Sequence, residues 1–177
     1  TVSDISHQLK TPLSALSMYT EIILEETDNP RTVQKFTRKS VQSLARMETL
    51  IGTLLKVMRL DAGSVLFEKR ACRMESLLSD ALGQLYIRAE RENKRILQEG
   101  DPEAVLVCDP VWTAEALSAL AKNALDHIEA GGVVRIGWKR TRAMLRLWVA
   151  DDGCGIDPED MPHIFKRFYR SKNSGDT

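Results

Sequence analysis

The chain has 177 residues, 43% hydrophobic and 28% charged, with Lys+Arg and Asp+Glu both at 25 and a net charge of zero. That balance supports a buried core, excludes global disorder, and provides no bulk basic surface for nucleic acid or a membrane. The three cysteines, Cys72, Cys108 and Cys154, form no CxxC, which argues against a zinc site or a disulfide framework and fits a reducing cytoplasm. No apolar run approaches a membrane span and no signal peptide is visible. The chain opens directly on a motif and is read as a piece of something larger.

Two helices come first. Apolar periodicity predicts one from about Val2 to Glu26, with Ile5, Leu9, Pro12, Leu13, Leu16, Thr20 and Ile23 on one stripe. Asp28-Asn29-Pro30 is a turn, with Asn29 as N-cap and Pro30 at the first helical position of the next helix. That helix runs to about Leu60 and repeats Thr37, Ser40, Leu44, Met47, Ile51, Leu54 and Met58 as a heptad seam. A hairpin with such wide apolar faces has no core of its own. The expected solution is a homodimer closing into a four-helix bundle, the alternative being that the hairpin packs on the rest of its own chain.

Asp61-Ala62-Gly63-Ser64 marks the domain boundary, dividing residues 1–62 from residues 63–177. Beyond it Val65-Leu66-Phe67 reads as a strand, Met74 to about Lys94 as a helix, and Ala104 to Cys108 as a strand. Asp109 and Pro110 start a helix running to about Glu129. Gly131-Gly132 turns the chain into a hairpin of strands, Val133 to Lys139 and Met144 to Val149. The expected fold is an all-α helical hairpin followed by an α+β sandwich, with helices covering one face of a mixed sheet.

Within the first helix the stretch SHQLKTPL places His7 nearly opposite the apolar stripe, one turn before Thr11-Pro12. Proline leaves the carbonyl of Gln8 without its helical donor and lets the helix bend there. A solvent-facing imidazole beside a bend is a candidate nucleophile.

SHQLKTPL resembles the phospho-acceptor box of the sensor histidine kinases of two-component systems, which commonly reads SHELRTPL. Leu117 to His127 is similar to that family's asparagine box, and Asp151-Asp152-Gly153-Cys154-Gly155 to its first glycine box, DxGxG. Ile164 to Arg170 is similar to its phenylalanine box. The four boxes stand in family order across essentially the whole chain. The resemblance implies an ATP-binding domain of the histidine-kinase type. It also implies autophosphorylation of His7 from ATP, transfer of the phosphoryl group to an aspartate of a response regulator, and a possible role in dephosphorylating that regulator.

Carried over by position, the resemblance makes Asp151 the reader of the adenine amine and Gly153, Gly155 and Ile156 its surrounding turn. Asn123 becomes the holder of Mg²⁺, and Arg167 and Arg170 cations over the phosphates. Thr11 falls where the family positions a water for regulator dephosphorylation. Met18 and Ile22, below His7 and off the core stripe, are expected to dock the regulator. Phe165 and Phe168 fit either a lid anchor or plain core packing.

Several positions depart from the family pattern. Gln8 replaces the usual carboxylate, and an amide accepts a hydrogen bond but not a proton. Ala119 stands where many relatives have a second asparagine, and Asp126-His127 replaces a frequent Lys-Tyr. The second glycine box is absent from this sequence, so the domain is expected to be C-terminally incomplete. These departures leave two alternatives: a catalytically weak dimeric scaffold, or another ATPase of the same nucleotide-binding fold. The fragment is expected to be cytoplasmic and free of membrane and nucleic-acid contact, within a full-length protein anchored in the cell membrane.

Overall fold

The structure, a computed structural model, describes residues 2–142, 144–166 and 169. It divides into two compact units. One comprises the described residues of 1–65 and 158–177, the other Leu66–Asp157.

The first unit is a helical hairpin. Helix α1 spans Val2–Glu25 with Pro12 inside it, and α2 spans Pro30–Asp61. The turn between them follows the sequence reading. The Asn29 side chain accepts from the backbone N–H of Thr32 at 3.3 Å, and Pro30 opens α2. Tyr19 of α1 meets Phe36 of α2 with ring centroids 5.6 Å apart, and the ammonium of Lys39 lies 5.5 Å from both rings. Pro12 and Ser40 are buried, and the Ser40 hydroxyl donates to the carbonyl of Phe36 at 2.9 Å. Leu13, Leu24, Val41, Leu44, Ile51, Leu55 and Met58 nevertheless stay exposed.

The second unit has a complete core. Strand β1 (Arg70–Arg73) leads into α3 (Met74–Arg91), then β2 (Arg95–Glu99) and β3 (Val105–Cys108). Helix α4 (Pro110–Asp126) precedes β4 (Val133–Arg140) and β5 (Leu145–Asp151). β1 pairs antiparallel with β3, and β4 lies between a parallel β2 and an antiparallel β5. Met74, Leu77, Leu78, Leu82 and Leu85 of α3 and Leu117, Ala121 and Leu125 of α4 pack with Val134, Ile136 and Trp138 of β4. These β4 residues alternate along the strand and therefore share one face. Both helices thus cover the same side of the sheet, with Leu145, Leu147 and Val149 of β5 packed alongside.

Three sequence expectations are corrected, and one strand is added. Val65 to Phe67 is not a strand: Leu66 is 91% exposed, Phe67 packs edge-on against Trp112, and the first strand begins at Arg70. Helix α3 stops at Arg91 rather than Lys94, because Asn93 takes a left-handed φ of 53° that an interior helical residue does not adopt. The freed residues from Arg95 form β2, a strand made by parallel pairing to β4 rather than by any alternation of its own. Helix α4 ends at Asp126, with His127 as its C-cap, rather than at Glu129.

Candidate functional site

The phospho-acceptor region lies on α1. His7 is exposed, as the helical wheel required. The Thr11 hydroxyl donates to the carbonyl of His7 at 3.3 Å. Such back-bonding draws on a carbonyl of the helical ladder and favours bending. Pro12 adds to this by removing the donor for the carbonyl of Gln8. Both effects fall on the C-terminal side of His7, where they weaken the helical ladder locally. Gln8 is half-buried, Met18 is 51% exposed and Ile22 is half-buried, so only Met18 presents most of its apolar surface.

The nucleotide-box residues lie in the second unit, at the end of α4 and after β5. Asp109 caps α4, accepting from the backbone N–H groups of Val111 and Trp112 at 3.0 and 3.1 Å. These donors, that of Trp112 foremost, hold its carboxyl below the usual range. α4 carries Ala119 and Asn123 one turn apart, both exposed. Beyond β5 the Asp151 carboxylate accepts from the backbone N–H of Gly153 at 3.0 Å, closing a tight turn. A Cβ at Gly153 would lie 2.3 Å from the carbonyl oxygen of His127, so only glycine fits this turn against the end of α4. Gly155 has a φ of +74°, in the left-handed region, and Ile156 is 54% exposed.

An open cleft of about 620 Å³ is lined by residues 126–129, Gly131, Gly132, Asp152, Gly153 and Cys154. Gly153 lines this cleft, Asp151 adjoins it in sequence, and Asn123 lies one turn before it on α4. Arg167, Arg170 and Phe168 lie outside the described residues. Phe165 is 93% exposed and does not belong to the core cluster of the described residues. His163 packs edge-on against Tyr169, whose hydroxyl donates to Asp160.

Two features of the site had no sequence signal. The Asp152 carboxylate accepts from the backbone N–H of Val133 at 2.9 Å, tying the glycine turn to the start of β4. Asp126 pairs with Arg88 of α3 at 2.6 Å. Arg88 also binds Glu92 at 2.7 Å, and Lys94 binds Glu92 at 2.8 Å and the carbonyl of Leu125 at 2.9 Å. The helical spacing of Arg88 and Glu92 was legible; the partnership with Asp126 depends on how α3 packs on α4.

A hard cation at Asn123 is compatible with these residues. Among the described residues no cluster of three or more His, Cys, Asp or Glu could hold a metal. Mg²⁺ suits an exposed amide oxygen because it keeps several waters and takes the rest of its ligands from phosphate.

Residues 1–63 match the family model described as the His Kinase A (phospho-acceptor) domain. Residues 108–177 match that of the Histidine kinase-, DNA gyrase B-, and HSP90-like ATPase. The chain carries these two modules in this order and belongs to the sensor histidine kinase family. The chain is similar to the sensor-like histidine kinase SenX3 of Mycobacterium tuberculosis, with 27% identity over 96% of this chain and 41% of that protein. It therefore spans about two-fifths of the length of that relative. In fold it is similar to the histidine kinase AdeS of Acinetobacter baumannii, with a TM-score of 0.78 at 19% identity over 90% of this chain and 78% of that one. It is equally similar to the histidine kinase ThkA solved in complex with the response regulator protein TrrA, with a TM-score of 0.78 at 19% identity over 96% of this chain and 50% of that one. Among the described residues no helix is long and apolar enough to cross a membrane.

Proposed function

We propose that this chain autophosphorylates on His7 at the expense of ATP and passes the phosphoryl group to an aspartate of a response regulator. The observation that carries this is an exposed His7 in a helical turn loosened by Thr11 and Pro12. The same chain supplies a second unit whose Asp151–Gly153 turn closes against the end of α4.

In the proposed reaction an imidazole nitrogen of His7 attacks the γ-phosphorus. The N–P bond forms, the bond to the β–γ bridging oxygen breaks, and ADP leaves. The imidazole proton passes to solvent, because Gln8 orients the ring without accepting a proton. Asp151 reads the adenine amine within the turn of Gly153, Gly155 and Ile156. Asn123 would hold Mg²⁺, which when bound supplies neutralisation of the polyphosphate charge. Arg167 and Arg170 are assigned to the phosphates.

Homodimerisation follows from the uncovered apolar face of the hairpin. Met18 and Ile22 are the proposed docking residues for the regulator, and Thr11 the residue for regulator dephosphorylation. The capture of ThkA with a response regulator supports a partner of that kind. The whole protein is proposed to be membrane-anchored, with this region on the cytoplasmic side.

Incubation with γ-labelled ATP and Mg²⁺ tests the reading. The expected product is an acid-labile, alkali-stable phosphate that disappears in His7→Ala. Absence of label points to a scaffold, and released phosphate without label to a plain ATPase. Gln8→Glu is expected to raise the labelling rate by supplying a base; an unchanged or lower rate overturns the role given to Gln8.

A further inference from the structure

The end of α4 has an inverted charge pattern. A helix C-terminus carries partial negative charge and favours cations nearby. Helix α4 has no basic residue in its last turn and ends on Asp126. Its cations come instead from α3 and the turn that follows it. The Arg88 guanidinium lies 2.6 Å from the Asp126 carboxylate, and the Lys94 ammonium donates to the carbonyl of Leu125 at 2.9 Å. Glu92 holds both cations in place, at 2.7 and 2.8 Å. The Arg88 and Lys94 side chains are only 26% and 12% exposed, so the network is shielded more than an ordinary surface pair.

Immediately beyond Asp126, the carbonyl of His127 lies where a side chain on Gly153 would have to go. The N–H of Gly153 in turn fixes the carboxylate of Asp151. A contiguous path therefore runs from α3 through Arg88 and Asp126 to the backbone of His127, and across to Gly153 and Asp151.

We propose that Arg88 is a positioning residue for the nucleotide cleft, acting through Asp126 to fix the end of α4 against which the Gly153 turn and Asp151 are set. Asp126 lines the cleft but its carboxylate is engaged by Arg88, so it serves this clamp. The inference rests on the reading of this unit as ATP-binding, and it reverses a simple expectation. Asp126→Lys, which installs the cation many relatives carry, should weaken nucleotide binding because the new ammonium faces Arg88.

The test is calorimetric binding of ATP and of adenosine, each with Mg²⁺, to the whole chain, alongside thermal unfolding. Arg88→Met and Asp126→Lys are each expected to raise Kd by about tenfold for both ligands, within the range of coupled pairs. Equal loss for adenosine marks an effect on Asp151, since adenosine has no phosphate. Arg88→Lys, which keeps the charge, should recover part of the affinity relative to Arg88→Met. Tighter ATP binding by Asp126→Lys overturns the proposal. So does a lowered Tm with both Kd values unchanged, which marks a merely structural pair. Failure of the unaltered chain to bind ATP sinks the ATP-binding reading itself, an outcome distinct from either.

Discussion

The two units solve the same problem to different extents. The α+β unit buries Met74, Leu77, Leu78, Leu82, Leu125, Val134 and Ile136 almost completely. The hairpin buries Pro12 and Ser40 but leaves Leu44 at 47%, Ile51 at 44% and Met58 at 57% exposure, all on one heptad seam. Among the described residues one unit closes its own core and the other leaves its seam uncovered. The difference follows from geometry: two antiparallel helices have no third layer to close over their apolar stripes, whereas a sheet with two helices does.

The strongest way to break this contrast is at the seam. Leu44→Glu with Ile51→Glu places unpaired carboxylates where a second copy would cover them, at about 3–5 kcal/mol for each uncompensated buried charge. The expected outcome is a monomer by sedimentation with loss of cooperative hairpin melting, while ATP binding by the α+β unit persists. A dimer that survives the double substitution would show that the seam is not the interface.

Leu82→Ala acts on the other side of the comparison. Leu82 is fully buried, and a truncation of this kind costs about 2–5 kcal/mol. Denaturant unfolding should show that loss in the α+β transition, with the transition of the hairpin unchanged. A cost below about 1 kcal/mol would mean that this core is looser than its burial implies.

The smallest expected effect concerns the clamp at the end of α4. Hydrogen bonds from Arg88 and then Lys94 lower the Glu92 carboxyl from its usual 4.5 to about 2. A carboxyl lowered on folding contributes stability that is fully present above pH 4.5 and is lost as pH falls through about 2. Glu92→Gln should therefore lower Tm by a few degrees at pH 6, with the gap to the parent closing between pH 4.5 and 2. A gap independent of pH would place the effect elsewhere.

Much of the molecule was legible because its signals are local. The Asn29-Pro30 start of α2, the Asp109-Pro110 start of α4 and the apolar face of α3 each depend on residues within a few positions. The exposure of His7 followed from a wheel of the same short range. β2 was missed because Arg95 to Glu99 has no alternation of its own and becomes a strand only beside β4. The reading of Val65 to Phe67 failed for the converse reason: three apolar residues with no partner strand do not make one. Gly153 was expected to turn the chain, and the packing shows what the turn accommodates, the carbonyl of His127.

Asp126 separates the two levels most clearly. Its sequence position marked it as a missing cation at a phosphate site, because charge is a property of the residue alone. Its role depends on what faces it, and that is set by the packing of α3 on α4, which brings Arg88 within 2.6 Å. Sequence alone determined the order of elements, the exposed histidine and the boxes that mark the family, all carried by short-range spacing. Only the tertiary structure decided which charges meet and which backbones touch, since those contacts join residues that are distant along the chain.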